Sequence, residues 1–177
     1  MAKLVAAQYA RGLFELALET GQFDIISSSF VGLKEIAEDD EFRLVIGHPQ
    51  ISDEEKYGML AGCVPNALDE LFGFFHLLIE RDRIAILSEM IDEYIKLVDE
   101  RENVIRVRVV SAEKLAVEEI SKIRLMLTGR FKKAVKLTEE FDPSVIAGFR
   151  VYAGDELIDT TVKKDIGDIR NLLLEHS

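Results

Sequence analysis

The side chains that most often do chemistry in proteins are few and scattered in this sequence. The three histidines, His48, His76 and His176, lie far apart, and the single cysteine, Cys63, stands between a glycine and a valine. A zinc site needs histidine or cysteine ligands at close, characteristic spacings. An active site needs titratable groups clustered in one pocket, whereas the 33 Asp and Glu residues are dispersed along the chain. The sequence therefore predicts no catalytic residue, no metal site and no cofactor.

Two glycines in the last third of the chain indicate a turn rather than a phosphate-binding loop. Neither Gly148 nor Gly154 is followed by Lys and Ser or Thr at the start of a helix, as a phosphate loop requires. Gly154 and Asp155 instead form a two-residue hairpin signal between strand-like runs, because glycine adopts the positive φ that a type II′ turn needs. This hairpin predicts local structure and carries no group suited to catalysis.

Charge is distributed unevenly along the chain. Residues 1–103 hold 9 Lys and Arg against 21 Asp and Glu, and residues 104–177 hold 13 against 12. The acidic first part should repel nucleic-acid phosphates and anionic lipid headgroups. A nucleic-acid binder would have to use the basic residues of the second part, mainly Arg106, Arg108, Lys132, Lys133 and Lys136. The charge break indicates two domains with different partners and no nucleic acid. A solvated acidic surface that keeps the protein soluble is the alternative, and the charge taken alone favours it.

Apolar runs are short throughout, so no membrane-spanning helix is predicted. The N-terminal residues lack the apolar core of a secretory signal and the Arg- and Ser-rich character of an organellar one. A single cysteine excludes an internal disulfide and fits a reducing or neutral compartment. A cytosolic, bacterial-type chain is the expectation.

Helical periodicity dominates the first 103 residues. Ser52 and Glu55 form a capping-box pattern at one helix start, and residues 84–100 carry one apolar stripe at spacings of three and four. The predicted helices cover residues 4–19, 25–38, 41–46, 53–61, 66 or 69 to 80, and 84–100. Six helices with short connections predict an antiparallel bundle over residues 1–103.

The pattern changes at residue 104. Residues 104–110 alternate like a strand, and Ser111 is a candidate N-cap for a helix over 113–128. Strands are predicted at 134–141, 145–153 and 156–158, and a last helix at 161–174. We therefore predict an α+β chain of two domains, in which residues 104–177 form a small α/β module with a mainly four-stranded sheet and two helices.

The first predicted helix has more apolar surface than its place in a bundle requires. At about 100° per residue, apolar side chains fill an arc of about 220°, whereas a surface helix of a bundle needs about 100°. Part of the surplus is small, at Ala6, Ala10 and Ala17. The surplus is either buried inside the bundle or open as a groove for another helix, and the sequence is compatible with both.

Segments spread along the chain together resemble the delta subunit family of F-type ATP synthase, the bacterial counterpart of the oligomycin-sensitivity-conferring protein. The segments are YARGLFELA at 9–17, FHLLIERDR at 75–83, VVSA at 109–112 and DPSVIAGFRVYAGDELID at 142–159. They are collinear with the family over nearly the whole chain. One departure is Ala147, where family members often have glycine; alanine is tolerable there if φ is negative.

The resemblance implies a non-catalytic stator subunit with two partners. In this family the N-terminal bundle binds amphipathic N-terminal helices of the alpha subunits through its first and fifth helices. The implied alpha-binding residues here are Ala6, Tyr9, Ala10, Leu13, Phe74, Leu77, Leu78 and Arg81.

The C-terminal module of the family contacts the C-terminal ends of the b subunits. Carried over to this chain, Gly148, Gly154 and Asp155 either touch the b subunits or shape the surface that does; shaping is the usual role of turn residues. The implied setting is the cytoplasmic face of the bacterial inner membrane, where the subunit is held through the complex and links rotor torque to ATP synthesis and proton transport. A generic helical-bundle adaptor for another assembly is the alternative function.

A charge at Leu13 separates the two interpretations of the first helix. If Leu13 faces a bound helix, Leu13→Asp abolishes binding of an alpha N-terminal peptide, as measured by calorimetric titration, and leaves the C-terminal module folded. If Leu13 lies in the core, the same change melts the whole bundle, which circular dichroism would detect, because an unpaired charge cannot be buried cheaply.

Overall fold

A computed structural model describes residues 2–143, 149–153 and 156–159 of the chain. Contacts between Cα atoms divide the chain into two compact units, Met1–Val98 and Asp99–Ser177, with the boundary inside a helix. The first unit is helical, and the second combines a mixed sheet with a helix. The predicted α+β class is thus confirmed.

The first unit is built around one apolar core that draws side chains from most of its helices. Ser52 caps one of these helices as predicted: Glu55 N–H donates to Ser52 Oγ at 3.3 Å, and Ser52 N–H donates to Glu55 Oε2 at 2.9 Å. The backbone hydrogen bond from Ser52 lowers the pKa of the Glu55 carboxyl.

The helices of the first unit are α1 (Ala2–Glu19), α2 (Phe23–Gly32), α3 (Lys34–Glu38), α4 (Asp40–Ile46), α5 (Asp53–Cys63), α6 (Asp69–Glu80), a 3₁₀ turn (Ile84–Ile86) and α7 (Leu87–Arg101).

The prediction of six helices is wrong, because the described residues up to Arg101 form seven α-helices. The predicted helix over residues 25–38 is interrupted at Leu33. The Leu33 N–H donates to Phe30 O at 3.2 Å, which tightens the end of α2, and Leu33 O then accepts the Ala37 N–H at 2.8 Å within α3. Gly32 precedes the break and is a poor helix former. The interruption leaves the Leu33 side chain 1% exposed in the core.

Aromatic rings fill the middle of this core. The Phe30 ring packs edge-on against Tyr94 and Phe74, with centroid distances of 5.2 Å and 5.7 Å. Tyr94 is completely buried, and its hydroxyl shares a 2.8 Å hydrogen bond with the Ser27 hydroxyl. Burial raises the pKa of Tyr94, partly offset by that hydrogen bond. The buried hydroxyl pair fixes the relative position of α2 and α7, since a buried polar group without a partner is costly.

The second unit contains a β–α–β crossover and an antiparallel extension. Its elements are β1 (Val104–Ser111), α8 (Val117–Phe131), β2 (Ala134–Phe141), β3 (Phe149–Ala153) and β4 (Glu156–Asp159). The strand order is β2-β1-β3-β4; β1 and β2 are parallel, and the other two pairs are antiparallel. Its core forms where α8 covers one sheet face, with Val107, Val109, Ile123, Leu127, Val151 and Ala153.

Ser111 does not cap α8. It ends β1, where it lies opposite Phe141 and Phe149, and its hydroxyl donates to Glu113 O at 2.7 Å. Helix α8 starts later, after Ala116, whose N–H donates to the Glu119 carboxylate at 2.8 Å. The predicted hairpin turn at Gly154 and Asp155 and the predicted helix at 161–174 lie outside the described residues.

The Ser27–Tyr94 pair predicts a measurable loss of stability in Tyr94→Phe. Removing the Tyr94 hydroxyl leaves the Ser27 hydroxyl buried without a partner, which should lower the free energy of unfolding by about 1–2 kcal/mol. Urea unfolding of the full chain, followed by far-ultraviolet circular dichroism, measures the loss. Tyr9→Phe is the matched control, because no hydrogen bond of the Tyr9 hydroxyl is found among the described residues. Equal effects of the two substitutions would contradict the assignment.

Candidate functional site

The described residues offer little for catalysis. Within them, no group of three or more His, Cys, Asp or Glu side chains is placed to hold a metal ion. Nor is any helix in the described part of the chain both long and apolar enough to cross a bilayer. The candidate site is instead a groove on the helical unit.

The groove lies between α1 and α6 and has a volume of about 680 Å³. Apolar and glycine residues form most of its surface, and each wall adds one residue with a fully polar side chain. Its walls are Gln8, Tyr9, Gly12, Leu13 and Leu16 from α1, and Glu70, Gly73, Phe74 and Leu77 from α6. We call this surface the α1–α6 groove.

Helix α1 can form a wall of the groove because one part of its apolar arc is buried in the bundle core and another part is open to the groove. Ala6, Ala10 and Ala17 are fully buried, and their small side chains let α1 lie close to the rest of the bundle. Tyr9 and Leu16 are half-buried and face the groove. The over-wide arc is therefore partly buried inside the bundle and partly open along the groove.

Helix α6 forms the opposite wall and is tied to the core by its aromatic residues. Phe74 is 7% exposed and touches both sides: its ring lies 6.4 Å from the Tyr9 ring across the groove and 5.7 Å from the Phe30 ring in the core. Leu77 is 40% exposed, although it lies in a helix whose other leucines are buried. The wall is packed against the core at Phe74 and exposed at Leu77.

The residues expected to bind an alpha helix occupy three kinds of position. Tyr9, Leu13, Phe74 and Leu77 line the α1–α6 groove. Ala6, Ala10 and Leu78 are each 0% exposed and support it from the core. Arg81 is exposed just after the end of α6 and does not line the groove. The residues predicted for the b-subunit contact, Gly148, Gly154 and Asp155, lie outside the described residues.

Sequence reasoning missed five groove residues: Gln8, Gly12, Leu16, Glu70 and Gly73. The two glycines share one property with Gly58 of α5, which lies outside the groove. Each stands inside a long helix, and a Cβ added at either position would meet nothing within 4 Å. Folding therefore gives no steric reason for glycine at these positions, although glycine weakens a helix.

The burial of Leu13 bears on the Leu13→Asp substitution. Its side chain is 1% exposed and belongs to the bundle core, although its edge reaches the groove. An aspartate there would be buried without a partner. The structure thus favours melting of the bundle by Leu13→Asp, and exposed groove positions are better probes of binding.

Comparison with known proteins identifies the family of this chain. The family model described as ATP synthase delta (OSCP) subunit matches residues 5–173. The chain belongs to the ATP synthase delta (OSCP) subunit family. Delta-family proteins are non-catalytic structural subunits in the stator, or peripheral stalk, of F-type ATP synthase.

Individual relatives of this delta-family chain match over almost their whole length. ATP synthase subunit delta of Clostridium perfringens is 34% identical over 173 residues, which cover 95% of each chain. ATP synthase subunit delta of Moorella thermoacetica is 32% identical over 176 residues, covering 97% of this chain and 95% of the relative. The fold also matches a chain in the cryo-EM structure of the Toxoplasma gondii mitochondrial ATP synthase hexamer, with a TM-score of 0.73 at 18% identity, covering 96% and 97% of the two chains.

Proposed function

We propose that the α1–α6 groove binds the amphipathic N-terminal helix of an alpha subunit and so attaches the stator to the catalytic head. The groove geometry carries this proposal. Two helices form its walls, and the α6 wall runs from Glu70 to Leu77, about 10 Å along the helix axis, which matches about two turns of a visiting helix. A helix with apolar residues on one face would place them against Tyr9, Phe74 and Leu77.

The two groove glycines support a helix as the ligand. Gly12 and Gly73 stand on facing walls, and each is exposed with open space above it. Glycine costs a helix interior about 0.8–1.0 kcal/mol relative to alanine. A ligand backbone that approaches closely at both glycines would compensate for that cost, because any larger side chain would hold the two helices apart.

The proposed role places mechanical demands on the groove. Torque from the rotor acts on the head, so the stator contact must survive many catalytic cycles. Such a contact depends on slow dissociation more than on fast association. Apolar residues that exclude water around an aromatic side chain fit this demand, since binding hot spots concentrate in desolvated surroundings. Tyr9 is the aromatic residue in this position.

For the second unit we propose contact with the C-terminal ends of the b subunits. The near-neutral charge of residues 104–177 contrasts with the acidic first part and fits a different partner. In the assembled complex the chain would then lie at the cytoplasmic face of the bacterial inner membrane, attached through its partners. Gly148, Gly154 and Asp155 belong to this side of the proposal, as residues that contact the b subunits or shape the surface.

The glycines give a test in which stability and binding change in opposite directions. Gly12→Ala and Gly73→Ala should each stabilise the free chain by about 0.8–1.0 kcal/mol. Each should also weaken binding of an alpha N-terminal peptide by about tenfold or more, because an added methyl group overpacks a close contact. Urea unfolding and calorimetric titration of the full chain measure the two effects.

Gly58→Ala is the matched control for this experiment. Gly58 is exposed within α5, has nothing within 4 Å of an added Cβ, and does not line the groove. It should stabilise the chain equally and leave peptide binding unchanged. All three variants should still bind a fragment from the C-terminal end of the b polypeptide as the wild type does. Unweakened peptide binding by both Gly12→Ala and Gly73→Ala would refute the groove as the site of close approach.

A further inference from the structure

Glu70 is the one charged side chain among the described residues that line the α1–α6 groove. It is half-buried in the first turn of α6. Within the described part of the chain, its carboxylate has no hydrogen bond and no ion pair, in contrast to the acidic partners of Lys34 and Lys96. The groove therefore presents an uncompensated negative charge beside apolar surface.

A favourable interaction with the helix dipole does not by itself explain why the carboxylate of Glu70 lines the groove. Acidic residues in a first turn stabilise a helix, but Asp69 occupies the same turn, is exposed and lies outside the groove. Glu70 differs from Asp69 in that a docked helix would remove water from it. A carboxylate that loses water without gaining a partner weakens binding, whereas one that gains a cation does not.

We infer that the helix docked in this groove presents a Lys or Arg side chain to Glu70, next to its apolar face. This inference rests on the proposed function and specifies the chemistry of its ligand. The surrounding charge agrees with it, since residues 1–98 hold 8 Lys and Arg against 18 Asp and Glu and so attract a basic segment. An amphipathic helix without that cation is disfavoured, which gives the groove selectivity beyond hydrophobicity.

The position of Glu70 also gives the groove a direction. Glu70 and Leu77 lie at the two ends of the α6 wall, seven residues or about 10 Å apart along the helix axis. If the cation lies near one end of the docked segment, reversing the helix carries it to the Leu77 end and leaves Glu70 unpaired. The ion pair thus selects one of two orientations that the apolar contacts alone would accept.

Titration of the full-length chain with a synthetic peptide tests the ion pair. The peptide comprises the N-terminal residues of the alpha subunit from the same organism, and each of its Lys and Arg residues is replaced in turn by Met. We expect Glu70→Gln to weaken binding by about three- to tenfold. One peptide substitution should cause a similar loss with the wild type and little further loss with Glu70→Gln, which identifies the partner of Glu70.

Asp69→Asn is the control, because it removes the same charge from the same helical turn at a position outside the groove. It should leave peptide binding within about twofold of wild type at moderate salt, since an exposed carboxylate that keeps its water contributes little to an ion pair. The ion pair is refuted if Glu70→Gln binds as tightly as the wild type, if Asp69→Asn causes an equal loss, or if every peptide substitution is additive with Glu70→Gln. A wild-type chain that does not bind the peptide at all would overturn the proposed function together with this inference.

Discussion

The position of Phe74 is the constraint on which the groove and the bundle both depend. Its ring packs edge-on against Phe30 inside the core and against Tyr9 across the groove, and Phe30 in turn packs against the buried Tyr94. One chain of aromatic contacts therefore links the groove surface to the hydrogen-bonded centre of the bundle. A ligand that presses on Tyr9 and Phe74 meets a wall supported by the core, as a contact that transmits torque requires.

This arrangement gives a chain with few reactive side chains an open, mostly apolar groove. The groove offers shape, apolar surface, two glycines and a single carboxylate, and these features suit recognition of a helix. In the proposed role, a delta-family protein has to hold two partners and leaves the chemistry to other parts of the synthase. In that proposal the acidic helical unit would bind one partner and the near-neutral mixed-sheet unit the other.

Local signals in the sequence predicted much of the fold because their causes are local. The Ser52–Glu55 capping box and the apolar stripe of α7 depend on spacing alone, and both appear in the structure. The break at Leu33 was not predicted, although Gly32 is a local signal for it; the Leu33 side chain at the break is buried in the core. The family resemblance implied Tyr9 and Leu13 as binding residues, whereas Gly12 and Gly73 were not predicted, because neither polarity nor periodicity registers the open space above a glycine.

Whether the α1–α6 groove attaches the stator to the head can be decided in the working complex. The decisive measurement is ATP-driven proton pumping by membranes and heads that are stripped of their own delta protein and then supplied with variants of this chain. Gly12→Trp fills the groove from an exposed position, and Gly58→Trp places the same bulk on α5, away from it. We predict that the wild type and Gly58→Trp restore coupled pumping and that folded Gly12→Trp does not; full restoration by Gly12→Trp would contradict attachment through the groove.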